Sequence, residues 1–179
     1  MDLEYYNGSP MSGIWLVSFQ NPYLVGYNGW RQIGGGSLII SESNRKVIKE
    51  RFEKLAQPVV IQFFETSLNC ASCPEIKQLL EELVSLSDLL TLETLNLYTD
   101  EEKAKSLGID KAPVIVLTDD NHFDYGIRFF GPPSGYEFAT LLEDVIMVSQ
   151  RDSGLSPETR KQLASLPSAV DLSVFVTPT

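Results

Sequence analysis

Short apolar runs alternate with segments of helical periodicity between residues 41 and 150. The run 59–64 is almost wholly apolar, β-branched and aromatic, which is typical of a strand buried on both faces. The same reasoning predicts helices at about 41–57, 72–86, 100–107 and 134–150, and strands at about 59–64, 92–98, 114–117 and 125–130. Parallel strands joined by helices, followed by a hairpin, predict an α/β fold with a mixed sheet and helices on both faces.

Capping residues and apolar stripes locate two of these helices more closely. Ser41 is a predicted N-cap of the first helix, and Ser72 with Glu75 has the spacing of a capping box at the start of the second. The predicted buried faces comprise Leu79, Leu80, Leu83 and Leu86 of the second helix, and Leu141, Leu142, Val145, Ile146 and Val148 of the last.

The two ends of the chain fall outside this unit, which we place at 38–150. Residues 1–37 hold three charges, are rich in aromatic residues, Gly, Asn and Ser, and show no periodicity. We expect a loose extension or the product of a misplaced start codon there, with a binding arm as the alternative. Residues 151–179 begin a second cycle, with a helix at about 156–166 and a strand at about 170–176. Without a partner sheet, that strand is expected to be mobile or to promote self-association.

Composition and charge narrow the class of protein. Of the 179 residues, 43% are hydrophobic, which suffices for a globular core and argues against disorder. The net charge of −10 repels phosphate backbones and anionic lipid, so we expect neither nucleic-acid nor membrane binding. No apolar run approaches the ~20 residues of a membrane-spanning helix, and no basic segment precedes the first apolar run. The expectation is a soluble, cytoplasmic protein.

The two cysteines form the motif Cys70-Ala71-Ser72-Cys73, between a predicted buried strand and an amphipathic helix. The positive end of the helix dipole and the unpaired amides of the first turn stabilise a thiolate, lowering the thiol pKa from about 8.5 toward roughly 3.5 to 7.5. The second cysteine lies one turn away and can resolve a mixed disulfide. This context predicts thiol–disulfide exchange, with Cys70 attacking and Cys73 resolving.

Three alternatives to redox chemistry stay open on the residues alone. A structural zinc site needs four ligands, and besides the cysteines the chain offers one histidine, His122, in a predicted hairpin turn, so zinc would have to be shared between two chains. A structural disulfide across so short a loop gains little chain entropy. In the third alternative both thiols are inert. We expect no cofactor and no metal, and His122 has no assigned role.

Ala112-Pro113 immediately precedes the predicted strand 114–117. A proline leading a central strand is unusual unless its missing N–H is useful. A cis bond would place the Ala112 backbone beside the thiol pair, where it can receive an extended substrate strand; an ordinary proline at the start of a strand is the equal alternative. Glu65, shortly before the thiol pair, is either a weakly placed proton acceptor or a solvated carboxylate.

Several segments together resemble the protein disulfide oxidoreductases of thermophiles, which are glutaredoxin-like proteins with two thioredoxin-fold units in tandem. The resemblance covers about residues 38–179. Besides the cysteine motif, the segments that carry it are Arg45-Lys46-Val47-Ile48-Lys49-Glu50, Gly108-Ile109-Asp110-Lys111-Ala112-Pro113, Phe129-Phe130-Gly131-Pro132-Pro133-Ser134-Gly135, Glu137-Phe138 and Val174-Phe175-Val176-Thr177-Pro178-Thr179.

This resemblance implies a thioredoxin fold, with one complete unit followed by the first helix and strand of a second. Cys70 and Cys73 correspond to the redox pair, Pro113 to the family's cis-proline, and Ala112 with Pro113 to the substrate-binding backbone. The implied activity is reduction, and in some members oxidation or isomerisation, of protein disulfides. A thioredoxin-reductase-like flavoprotein is the implied electron donor.

The chain departs from the family in two respects. Residues 1–37 have no counterpart, and the chain stops one residue before the C-x-x-C of the second unit should begin, a pair that is typically the more active of the two. A fragment, a frameshift or a UGA codon read as selenocysteine would explain the stop. The alternative function is therefore a docking module with silent thiols, left after loss of the second unit.

Overall fold

A computed structural model describes residues 38–175, so the expectations for residues 1–37 lie outside the described part of the chain. The helices are α1 (Glu42–Phe52), α2 (Cys73–Val84), α3 (Glu101–Ser106), α4 (Tyr136–Gln150) and α5 (Pro157–Ala164). The strands are β1 (Val59–Glu65), β2 (Leu90–Asn96), β3 (Val114–Asp119) and β4 (Asp124–Phe130). The predicted order of elements is confirmed from α1 to α5.

The four strands form one mixed sheet in the order β2-β1-β3-β4. β1 is parallel to β2, whereas β3 is antiparallel to both β1 and β4. The mixed sheet is confirmed, but the expectation that the three helix-linked strands are all parallel is wrong. The six-residue α3 rises only about 9 Å, whereas a seven-residue strand spans about 23 Å. α3 therefore does not carry the chain back along the sheet, and β3 begins at the end where β2 finishes.

β2 begins and ends two residues earlier than the pattern predicts. The chain turns directly after Asn96, where the Asp100 carboxylate accepts the Asn96 N–H at 2.7 Å. The side-chain oxygen of Asn96 in turn accepts the N–H of Tyr98 at 3.0 Å. These side chains satisfy backbone groups that would otherwise continue the strand, which ends it at this position.

The sheet packs against helices on both faces, as predicted. On one face Ile61 and Phe63 of β1 pack with buried side chains of α1, α2 and α4. On the other, Phe64 packs with Ala104 of α3 and Ile109. The predicted apolar faces of α2 and α4 are all buried, so these two amphipathic helices supply most of the helical side of the core.

The two predicted caps have different outcomes. Ser41 caps α1, because its Oγ accepts the Asn44 N–H at 3.3 Å. Ser72 precedes α2 but has helical backbone angles, φ −90° and ψ −12°, and its side chain caps nothing. A capping side chain needs an extended backbone at this position to reach the first turn, so the predicted capping box is wrong.

The second cycle is only partly confirmed. Ser156 caps α5 with its Oγ on the Thr159 N–H at 3.2 Å, and α5 buries none of its side chains. The described residues 170–175 form no strand, and Phe175 is 95% exposed. The strand prediction is therefore wrong over these residues, because no neighbouring strand pairs with them there.

Among residues 38–175, no helix is both long enough and apolar enough to cross a membrane.

Buried Ser149 ties the end of α4 to the segment that leads into β1. Its Oγ accepts the N–H groups of Ala56 and Gln57 at 2.9 and 3.0 Å and donates to the Gln57 carbonyl at 2.6 Å. We expect Ser149→Ala to lower the free energy of unfolding by about 1 to 3 kcal/mol, because these backbone groups lose their partner. Urea denaturation measures the change. Ser106→Ala, which removes an exposed hydroxyl, is the control and should change stability by less than about 0.5 kcal/mol.

Asp144 of α4 is a buried carboxyl without a hydrogen-bond partner at Oδ1. Burial, with a smaller contribution from the negative charge of Glu143, raises the pKa of Asp144 to about 7. Between about pH 4 and pH 7 the folded chain therefore holds a proton that the unfolded chain has lost. Stability consequently falls as the pH rises through this range.

Asp144→Asn should remove this pH dependence. We expect the variant to be more stable than the parent at pH 8, by an amount on the order of a few kcal/mol, and similar to it at pH 4. Denaturation curves from pH 4 to 8 test this, with Asp88→Asn, a change of an exposed carboxyl, as the control. Parallel profiles for the parent and Asp144→Asn would contradict the assignment.

Candidate active site

Cys70 and Cys73 form a disulfide between the end of the loop that follows β1 and the first residue of α2. Their Cα atoms are 5.4 Å apart, and the Cys73 N–H donates to the Cys70 carbonyl at 3.3 Å. Cys73 is 4% exposed and belongs to the main core cluster, whereas Cys70 is partly exposed and packs against its edge. The two sulfurs are therefore bonded to each other but differ in access to solvent.

Side chains of the loop after β1 fix the approach to Cys70. Thr66 Oγ donates to the Leu68 carbonyl at 2.8 Å, and the Asn96 side chain donates to Ser67 Oγ at 2.9 Å. Asn69 has φ 63°, in the left-handed region that Asn tolerates better than most residues. This turn directs the chain back so that α2 starts beside the sheet with the cysteines at its first turn.

The first turn of α2 leaves its positive end open to the sulfurs. The Ser72 side chain does not cap it, and Pro74 carries no N–H. The helix is 12 residues long, enough for a full dipole at its start. This places partial positive charge next to the pair, which favours a thiolate once the disulfide is reduced. The predicted helix-terminal position of the motif is confirmed.

Ala112 and Pro113 lie at the same end of the sheet as the cysteines. Phe64, near the end of β1, pairs with Val114, the first residue of β3, so the loop after β1 and the residues before β3 are neighbours. We call this the site end: β1, β2 and β4 finish there and β3 begins there. The sequence leaves the isomer of the Ala112-Pro113 bond open, and the structure has it cis.

The backbone groups of Ala112 and Pro113 differ in whether they are hydrogen-bonded. The Pro113 carbonyl accepts the Gly131 N–H at 3.0 Å. Among residues 38–175, neither the N–H nor the carbonyl of Ala112 makes a hydrogen bond. Ala112 therefore presents a free donor and a free acceptor at the site end.

The other two candidates from the sequence lie in different places. Glu65 ends β1 at the site end and is half-buried, and its carbonyl accepts the Leu97 N–H at 2.9 Å. His122 lies at the opposite end, in the turn between β3 and β4, where its ring contacts Gln62 at 3.3 Å and Glu93 at 3.6 Å. The structure does not bring His122 to the cysteines. Within residues 38–175, no three His, Cys, Asp or Glu side chains are grouped to hold a metal.

The sequence pattern does not mark the exposed apolar side chains at the site end. Leu68, Tyr98, Phe130 and Tyr136 are each more than half exposed. They come from four separate loops and element ends, and the signal in the sequence is weak because Phe130, for example, continues an apolar strand pattern. Only the register of the sheet places all four at this end.

Comparisons with known proteins agree with this geometry. No protein-family model matches the sequence, and no curated protein matches it significantly. Among solved structures, the chain is similar to a protein disulfide oxidoreductase from Aeropyrum pernix K1, with 26% sequence identity and a TM-score of 0.64. It is also similar to the NTD_N/C domain of alkylhydroperoxide reductase AhpF from Enterococcus faecalis V583, with 32% identity and a TM-score of 0.65.

These similarities extend over most of this chain but only part of the relatives. The alignment with the Aeropyrum oxidoreductase covers 73% of this chain and 56% of that one. The alignment with the AhpF domain covers 71% of this chain and 61% of that one. In this chain the described residues hold a mixed four-stranded sheet, flanking helices and the Cys70–Cys73 disulfide. The chain therefore has the thioredoxin fold and is similar, over this part, to thioredoxin-like disulfide oxidoreductases.

Proposed function

We propose that this chain exchanges disulfides with other proteins through Cys70 and Cys73. The observation that carries the proposal is the unequal burial of two bonded sulfurs at the start of α2. An attacking thiolate has to reach a substrate, whereas a resolving thiol has only to reach its neighbour. Partly exposed Cys70 suits the first role, and Cys73 at 4% exposure suits the second.

In the reducing direction the reaction has two steps. The Cys70 thiolate attacks one sulfur of a substrate disulfide, which forms a Cys70–substrate mixed disulfide and releases the other substrate sulfur as a thiolate that takes up a proton. Cys73 then loses its proton and attacks Cys70 Sγ, which releases the second substrate thiolate and forms the Cys70–Cys73 disulfide. Two electrons pass from the dithiol to the substrate, and the reverse sequence oxidises a dithiol.

The free backbone groups of Ala112 fit a role in substrate binding. An extended polypeptide that crosses the site end can pair with this N–H and carbonyl as it would with a strand edge. Pro113 has no N–H, and its carbonyl is already bonded to Gly131. The pairing is thereby limited to Ala112, which one residue, Pro113, separates from β3.

Turnover needs an external two-electron donor, for which we propose a thioredoxin-reductase-like flavoprotein. The family resemblance read from the sequence implies this partner class. A dithiol that is kept reduced also fits the reducing cytoplasm better than an extracellular setting, which supports a cytoplasmic location.

For the domain organisation, we propose that residues 38–150 are the working unit. Residues 151–179 would then be the beginning of a second thioredoxin-fold unit. Two observations support this division: the buried core is supplied by residues up to Val148 and Ser149, and α5 buries no side chain.

Serine variants of the two cysteines separate their roles. We expect Cys70→Ser to abolish insulin reduction by the reduced chain, because the attacking thiolate is gone. Cys73→Ser should also stop turnover but accumulate a mixed disulfide at Cys70, since nothing resolves it. Turbidity measures insulin reduction, and mass spectrometry detects the trapped adduct.

Thermal unfolding of each variant against the reduced parent is the control for folding. An inactive parent chain, with variants that fold equally well, would sink the enzymatic proposal and favour a docking module with silent thiols. Trapping on Cys73 in the Cys70→Ser variant, instead of on Cys70, would reverse the assigned roles.

A further inference from the structure

Asn96, the last residue of β2, joins two segments at the site end through its side chain. Its Nδ2 donates to Ser67 Oγ at 2.9 Å, in the loop that leads to Cys70. Its Oδ1 accepts the N–H groups of Tyr98 and Thr99 at 3.0 and 3.3 Å, in the turn that leads to α3. One amide group therefore connects the turn after β2 with the loop after β1.

The backbone of Asn96 is itself well fixed. Its N–H donates to the Asp100 carboxylate at 2.7 Å, its carbonyl accepts the Asp100 N–H at 2.9 Å, and it pairs with Glu65 of β1. Because Oδ1 has two donors of its own, the orientation of the amide group is set as well. The bond from Nδ2 to Ser67 therefore requires little further ordering of the Asn96 side chain.

The loop at 66–69 has few other attachments. Among residues 38–175, it makes no backbone–backbone hydrogen bond. The bond from Thr66 Oγ to the Leu68 carbonyl, 2.8 Å, lies within the loop. In the part of the chain that the structure describes, the Asn96–Ser67 bond is therefore the one hydrogen bond that ties this loop to the rest of the molecule.

The same loop sets the position of Cys70 once the disulfide is reduced. In the oxidised chain Cys70 is bonded to Cys73, which belongs to the core. Reduction breaks that bond. Cys70 lies before the first residue of α2, so it then depends on the loop and on the Cys73 N–H, which donates to its carbonyl at 3.3 Å.

We propose that Asn96 is a positioning residue for the resolving step: through Ser67 it holds the loop so that Cys70 Sγ stays within reach of Cys73 when no bond joins the two sulfurs. This inference rests on the proposed exchange activity and names a residue that serves one of its two steps.

The two steps differ in how much they depend on this positioning. In the resolving step Cys73 loses its proton and attacks Cys70 Sγ of the mixed disulfide, and the substrate sulfur leaves as a thiolate. The rate of such an intramolecular reaction depends on how well the reacting atoms are held together. The first step joins Cys70 to a substrate from solution, so it depends less on the distance between Cys70 and Cys73.

The aromatic disulfide dithiobis(nitrobenzoate) separates the two steps. Attack by Cys70 releases the first coloured thionitrobenzoate, in a phase whose rate rises with the reagent concentration. Resolution by Cys73 releases the second, in a phase whose rate is independent of that concentration. Stopped-flow absorbance of the reduced chain, at several reagent concentrations, measures both rates.

Variants assign the resolving rate to the Asn96–Ser67 bond. We expect Asn96→Ala and Ser67→Ala each to slow resolution about fivefold or more, while the rate of attack changes by less than about twofold. Ser67→Thr, which keeps a hydroxyl at this exposed position, should resolve at the parent rate. Combining Asn96→Ala with Ser67→Ala should slow resolution no further, because both changes remove the same bond. Asn121→Ala, which removes an exposed side chain in the β3–β4 turn, is the matched control.

The reduction potential gives a second measurement. Ser67→Ala should make the Cys70–Cys73 disulfide easier to reduce, because a looser dithiol loses more freedom when the bond forms. A threefold lower equilibrium constant for disulfide formation corresponds to a potential about 14 mV higher. Equilibration with glutathione, followed by mass spectrometry of the trapped thiols, measures this shift.

The outcomes separate failure of this role from failure of the exchange activity. If resolution is as fast in Asn96→Ala and Ser67→Ala as in the parent, the positioning role is overturned and the exchange mechanism stands. Equal slowing of both steps in Ser67→Ala would also overturn a role in the resolving step. If the second release in the parent rises with reagent concentration, Cys73 does not resolve Cys70, and the exchange mechanism itself has failed. Circular dichroism of each variant confirms that it is folded.

Discussion

The antiparallel pairing of β1 with β3 is the contact on which the candidate site depends. It sets Phe64 opposite Val114, so the loop that carries the cysteines and the residues that carry Ala112 emerge at the same end of the sheet. A slip of one residue would also turn the side chains of β1 to the wrong faces, because successive residues of a strand alternate between faces. The buried side chains of β1 thereby fix both the core and the register that assembles the site.

The chemistry at that end follows from a division between the two sulfurs. Cys73 is part of the core and is held by the packing of α2, whereas Cys70 lies in the loop before the helix. The helix supplies partial positive charge and the core supplies rigidity, so the reacting geometry costs little extra ordering.

Polar side chains elsewhere hold the frame to which the site is attached. Glu82 of α2 accepts the N–H groups of Ile39 and Ile40, each at 2.9 Å, and so fixes the start of the described chain on the helix that bears Cys73. At the opposite end of the sheet, Asp119 accepts the N–H groups of Asn121 and Phe123 and closes the β3–β4 turn. Both residues satisfy backbone groups that no strand or helix would otherwise pair.

The sequence by itself determined the order of elements, the apolar faces of α2 and α4, and the placement of the cysteine motif at the start of a helix. Each of these depends on local periodicity or on neighbours a few residues away, which are visible along the chain. The direction of β3, the role of Ser72 and the absence of a strand at 170–175 were decided only by tertiary structure. The direction of a strand depends on the path of the connection before it. A side-chain cap depends on the backbone angles at its position, and a strand depends on a pairing partner distant in sequence. For the same reason, the placement of Leu68, Tyr98, Phe130 and Tyr136 at one end of the sheet required the sheet register, since no local pattern relates four separate segments.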